Sequence, residues 1–304
     1  MNKMDLKAES HYGSKGFSLL ELMVSLTVML IVSAATLSAL SYSQRIFVSQ
    51  QSQADMHSGL RAAFESMTQE IGQAGALNFG PQTITAAVTG STSAQTISVS
   101  STNGAYVGML LTVGTGSTQE VVTITAVPSS NTISGIFKQS RAVGTPIVAR
   151  GVFPQGVLSG STSTSMSLFG DINADGSLIY IQYDCDTNAG TLSRSATTLA
   201  PGVTTRAASV ILLNNLVANP DGTPCFQYGA SVTASGYTFI PSVAVSLTVR
   251  TSQRDPQTNA YVTMTKSFSN LSSRNVLAGL AMAQASPAIT NRLQPTPPGL
   301  PLGP

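Results

Sequence analysis

The chain has no tryptophan, two cysteines and two histidines, and only 9% of its 304 residues are charged. His11 and His57, set 46 positions apart with no second histidine beside either, cannot build a metal cluster. There is no Gly-x-Ser-x-Gly elbow and no His-Glu-x-x-His, and acids are sparse, so an enzyme is the least favoured class. A net charge of +2 implies neither an acidic nor a basic partner. With no basic cluster interleaved with aromatics, no nucleic-acid partner is indicated. Proline is also missing from Phe17 through Gly80, which leaves a helix there uninterrupted.

What is present begins with an apolar run. Phe17 to Leu40 is 24 residues long, and Glu21 is its only charged member. At a rise of ~1.5 Å per residue such a helix covers about 36 Å, enough to cross a hydrocarbon core of ~30 Å with some tilt. An acidic side chain inside a span costs about 2.5–3.5 kcal/mol, so Glu21 needs a partner. Lys3, Lys7 and Lys15 precede the run and only Arg45 soon follows it, which favours a cytoplasmic N-terminus and an exported remainder. Ser33-Ala34-Ala35 offers the rival reading of a secretory cleavage site, but the run is long for a signal core.

Lys15-Gly16-Phe17-Ser18-Leu19-Leu20-Glu21-Leu22-Met23-Val24 resembles the class III signal of type IV pilins and pseudopilins. The resemblance implies cleavage by a prepilin peptidase between Gly16 and Phe17 and N-methylation of Phe17. It also implies that Glu21 meets the terminal amine of a neighbouring subunit. Physics agrees: an ammonium at Phe17 and a carboxylate one turn away offset each other's desolvation when subunits stack with an axial stagger. Implied partners are other major and minor pilins, the peptidase, the inner-membrane assembly platform and, before assembly, membrane lipid. The implied location is the inner membrane, single-pass with the N-terminus cytoplasmic, then the pilus surface. Many major pilins carry a kinking proline near the end of the span, which this chain lacks.

Beyond the span the helical period continues. Met56, Leu60, Ala63, Phe64, Met67, Ile71 and Ala74 recur at spacings of three and four, predicting one helix from Phe17 to about Gly75 that packs its second half on a domain. The stretch from Leu60 to Ala76 resembles PilW-type minor pilins and the J-type pseudopilins of type II secretion. So does Ser273-Arg274-Asn275-Val276 near the end. The expected fold is α+β: a long transmembrane and amphipathic helix on a β-rich globular domain with a β insert. Its division is a leader at 1–16, a transmembrane assembly helix at 17–40, an amphipathic continuation at 41–76, a β-rich insert at 77–150, a pilin-like β domain at 151–280 and a proline-rich disordered tail at 281–304.

Within the insert, alternating runs such as Thr96–Val99, Leu110–Val113 and Val121–Val127 between turn residues predict five to seven short strands. Val113 to Thr118 is glycine-rich but lacks the lysine of a phosphate loop, so it is read as a hairpin turn. Farther on, Val243–Arg250 alternates and pairs with Tyr261–Phe268 across a turn.

Two candidate sites remain. Asp171, Asn173 and Asp175 precede Gly176 at the spacing of a calcium loop, but the twelfth position is Gln182 rather than an acid. A turn before the next strand is the favoured reading and a calcium site the alternative; otherwise no cofactor is expected. Cys185 and Cys225 lie beyond the membrane in an oxidising space, where a disulfide is favoured over two buried thiols. The expected function is a non-catalytic filament subunit, a PilW-type minor pilin that helps initiate assembly or forms the tip. The alternatives are a J-type pseudopilin and a membrane-anchored adhesion protein.

Overall fold

The computed structural model describes residues 16–200, 202–285 and 292–303. The leader expected at 1–16 lies outside them except for Gly16, as do His11 and, in the tail, Pro287 and Pro304. The helix α1 runs unbroken from Leu19 to Gln73, 55 residues or about 80 Å. Its two halves differ. The apolar half, with a mean hydropathy of 2.1, has none of that stretch buried. The second half buries Met56, Leu60, Ala63, Phe64, Met67 and Ile71, the stripe its 3.6-residue period predicts, and Ala74 follows them into the core. His57 is exposed.

Seven short strands follow: β1 Gln82–Thr83, β2 Gln95–Ser98, β3 Leu110–Val113, β4 Glu120–Thr123, β5 Ala126–Ser129, β6 Thr132–Gly135 and β7 Pro146–Ala149. They form two sheets, ordered β1-β7-β3-β4 and β2-β6-β5, around a core of their own that includes Ile84, Leu111, Val113 and Phe137. The run Val121–Val127, expected as one strand, is two. Ile124 donates its N–H to Met109 and Thr125 donates to Ser134, so the chain crosses from one sheet to the other at the buried Ile124.

The next four strands, β8 Ser165–Gly170, β9 Ile179–Asp186, β10 Thr191–Thr198 and β11 Val210–Asn214, make an antiparallel meander ordered β11-β10-β9-β8. Then come β12 Leu216–Val217, β13 Phe226–Tyr228, β14 Val232–Ala234, β15 Tyr237–Phe239, β16 Val243–Arg250 and β17 Thr263–Leu271. The β16–β17 hairpin pairs as the alternation predicts, β12 and β13 also pair with β16, and β14–β15 is a separate hairpin. The second half of α1 packs against β8, β11, β16 and β17, so its stripe joins a core with Leu168, Tyr183, Val245 and Leu247. The architecture is α+β.

The tail departs from the expected disorder. A second helix, α2, occupies Arg274–Ala285, and residues 292–303 pack between the insert and the rest. Leu293 is buried beside Val152, and the two segments bridge in parallel, with Val152 donating to Arg292 and Gln294 donating to Val152. The side chain of Gln294, fully buried, accepts from the Leu110 N–H at 2.9 Å and donates to the Leu110 and Arg150 carbonyls at 2.9 and 3.1 Å. Tyr106 donates to the Pro295 carbonyl at 2.7 Å. Proline cannot donate, but its carbonyl accepts, and here a phenol from the insert supplies the donor.

Candidate functional site

The helix N-terminus presents an open junction. Nothing lies within 4 Å of a Cβ placed on Gly16, Phe17 is 80% exposed, and Ser18 is extended at φ −69°, ψ 144° before the first helical residue. A peptidase needs an accessible, unfolded stretch of backbone, and Gly16–Ser18 is one. Glu21 stands in the first turn, where an acid is favoured by the helix dipole. It is exposed and makes no ion pair among the described residues.

Four hydroxyls along the apolar half satisfy themselves. Ser25 donates to the Glu21 carbonyl at 2.7 Å, Thr27 to Met23 at 2.8 Å, Thr36 to Ser33 at 2.9 Å and Ser43 to Ala39 at 3.0 Å. Each hydroxyl folded back on the preceding turn is one donor fewer facing hydrocarbon or another helix. The Glu21 carboxylate has no partner among the described residues.

At the other end, α1 is tied to the domain by a polar cluster. Glu70 falls on the apolar stripe, three residues after Met67, and meets Arg194 of β10 in a two-pronged ion pair: Nη2 to Oε1 at 2.6 Å and Nε to the same oxygen at 3.0 Å. Tyr183 of β9 donates to Glu70 Oε2 at 2.5 Å, with the Ser66 hydroxyl 3.2 Å from the phenol oxygen. Burial, with the Glu70 carboxylate beside it, pushes the Tyr183 phenol above the usual tyrosine range. Burial works against the Arg194 charge, yet the Glu70 carboxylate outweighs it and holds that guanidinium's proton more tightly than usual. These residues were not legible as a site, although an acid on an apolar stripe is a signal that a cation faces it.

The end of α1 is closed by the segment after β17. Ser273 donates its hydroxyl to the Ala74 carbonyl and accepts from the Val276 N–H at 3.2 Å, so one buried side chain caps α2 and satisfies the end of α1. Asn275 donates to the Gln73 and Ala74 carbonyls at 3.1 and 3.3 Å. Gly75 then turns at φ +77°, where a Cβ would strike the Phe153 carbonyl at 2.7 Å. The two segments that carry the PilW-like resemblance, 60–76 and 273–276, thus meet in space.

Asp171 is buried and both its carboxylate oxygens are taken, accepting backbone N–H groups from Asp175 and Gly176 at 3.1 Å each. Asp175 accepts from Ser177 at 2.8 Å, and Asn173 and Asp175 are exposed. That is the geometry of a turn, with Ala174 at φ 57° and Gly176 at φ 83°. Cys185 of β9 and Cys225 before β13 are joined as a disulfide, Cα atoms 6.5 Å apart, bridging two sheets in the core under α1.

A family model for the prokaryotic N-terminal methylation motif matches residues 12–37. The chain carries a type IV pilin-like, class III signal. That signal implies processing by a prepilin peptidase, anchoring by the apolar helix and assembly with other pilins, in a pilus or a pseudopilus. Proteins with the motif are structural subunits, in keeping with a chain that has no catalytic motif. No curated protein and no solved structure matches this pilin-like chain significantly.

Proposed function

We propose that the chain is a PilW-type minor pilin of a type IV pilus. The prepilin peptidase cuts between Gly16 and Phe17, Phe17 is methylated, and Glu21 receives the ammonium of a neighbouring subunit in the filament. Before assembly the chain spans the inner membrane once, N-terminus inside, with the domain outside. The observation that carries this reading is the bare half of α1. It combines a methylation signal with an exposed apolar surface whose one charge stands four residues after Phe17. Neighbouring helices offset by about one turn cover that surface and pair that charge. A membrane-anchored adhesion protein that never polymerises leaves Glu21 without a role.

A J-type pseudopilin of type II secretion carries the same signal and is the second reading. The PilW assignment is supported by the resemblances at 60–76 and 273–276 and by the β insert, whose surface would serve at a filament tip. A deletion strain decides between the two. Loss of surface pili with normal enzyme secretion is the expected result, restored by the wild-type gene and not by Glu21→Ala. Normal pili with lost secretion assigns the chain to the secretion system.

A further inference from the structure

Where α1 leaves its apolar half, the domain reaches back to touch it. Leu22 through Gln44 is 23 residues without a charge, and Arg45 is the first to break the run. A bilayer's headgroup layer is about 5–7 Å thick on each side, so a helix that spans places Tyr42 and Arg45 within it. The connection between β16 and β17 arrives at that level. Gln257 donates to the Tyr42 hydroxyl at 2.9 Å, Ser49 donates to Asp255 at 2.9 Å, and Ser52 and Ser252 lie 3.1 Å apart.

Between helix and hairpin is a cleft of about 440 Å³, lined by Ser41, Gln44, Arg45 and Ser49 on one side and Gln253 and Arg254 on the other. Arg254 donates to the Asn259 carbonyl at 3.3 Å, and it and Arg250 lie over the Tyr261 ring at 5.3 and 4.6 Å. Among the described residues none of Arg45, Arg250 and Arg254 pairs with a carboxylate. The nearest acid on the hairpin, Asp255, is already engaged by the Ser49 hydroxyl and by the backbone N–H groups of Gln257 and Thr258 at 2.9 and 3.0 Å. Arg45 and Arg254 both line the cleft, with the Ser41 hydroxyl and the Gln44 and Gln253 amides beside them, and guanidinium groups with such donors match the oxygens of a phosphodiester.

We propose that this cleft holds the phosphate of an anionic phospholipid headgroup while the chain is in the membrane. The β16–β17 hairpin is then seated on the leaflet that faces the domain, and the contact is given up when the subunit leaves the bilayer. The inference rests on the membrane reading of α1 and does not depend on which filament the chain joins.

The test uses the full chain in detergent micelles doped with phosphatidylglycerol or phosphatidylcholine, with retained lipid counted by native mass spectrometry. Phosphatidylglycerol is expected to be retained in preference. Arg45→Gln and Arg254→Gln each weaken that retention about fivefold and together about thirtyfold. Both side chains are exposed, so the domain's melting temperature holds. Arg61→Gln, farther along the helix, changes nothing, and the double substitution Arg45→Lys with Arg254→Lys keeps most of the binding. Equal retention of the two lipids, or wild-type retention by the double glutamine variant, overturns the proposal. Displacement of the lipid by millimolar inorganic phosphate or glycerol phosphate also overturns it, in favour of a free-anion site. Carbonate extraction separates the two levels. Insertion without headgroup preference overturns this site alone, whereas a chain that carbonate removes from membranes overturns the spanning reading with it.

Discussion

The two halves of α1 share one backbone and differ in solvent. In the first half Leu19 and Leu30 are bare, at 79 and 61% exposure, as is Phe17 just before it at 80%. In the second half Leu60, Phe64 and Met67 are buried to within 1%. The first half is apolar around its whole circumference and the second only along one stripe, and that decides what each needs. A stripe is satisfied by one domain on one side, whereas an all-round surface needs lipid or a ring of neighbouring helices. One continuous helix therefore joins a folded domain to a surface that is completed only by other molecules.

The comparison breaks most sharply by removing apolar volume from each half in turn. Phe64 packs edge-on against Phe268 at 5.0 Å between centroids, and Phe64→Ala is expected to cost the domain about 3–5 kcal/mol in denaturant unfolding. Leu30→Ala should leave that transition where it is, because Leu30 touches nothing in the domain. Equal effects of the two substitutions would contradict the division. A smaller effect is expected from Glu70→Gln, which leaves Arg194 half-buried without its carboxylate. About 2–3 kcal/mol of stability should go, with Phe17–Leu40 still helical by circular dichroism. Ser273→Ala removes one hydroxyl that serves both helices and should cost about 1–2 kcal/mol, read the same way.

The smallest effect near neutral pH is alkaline. Burial raises the phenols of Tyr106, Tyr180, Tyr183, Tyr228 and Tyr237 above their ordinary 10.0. Below that pH they are neutral both folded and unfolded, and their contribution is fully present. Above it the unfolded chain releases protons that the fold retains, so stability falls as pH rises. The melting temperature in detergent should be flat from pH 8 to about 9.5 and drop beyond 10, with the apolar helix unaffected. A melting temperature that rises across pH 10 would contradict the burial of these phenols.

Much of this was legible because it is local. The stripe from Met56 to Ala74 is a period, and Gly16, Phe17 and Glu21 stand in a run of six residues, so neither needed tertiary knowledge. The pairing of Glu70 with Arg194 joins positions 124 apart, and no local pattern carries it. The order of the tail is hidden for a like reason. Its prolines suggest disorder by composition, but Gln294 finds its partners at Leu110, 184 positions away. The helix α2 has a usable local signal, a serine followed by Arg274-Asn275-Val276-Leu277-Ala278 and more alanine and leucine. At Asp171 the same spacing serves a turn and a metal loop, and its carboxylate accepts from its own backbone, as the turn requires.

The claim on which everything else rests is that α1 is the processed assembly helix of a filament subunit. Intact-mass and N-terminal peptide mass spectrometry of the protein recovered from cells that express a prepilin peptidase tests it directly. The expected product begins at Phe17 and carries one methyl group on its amine. A product that keeps Met1 to Gly16, or one that begins near Ala35, would contradict it.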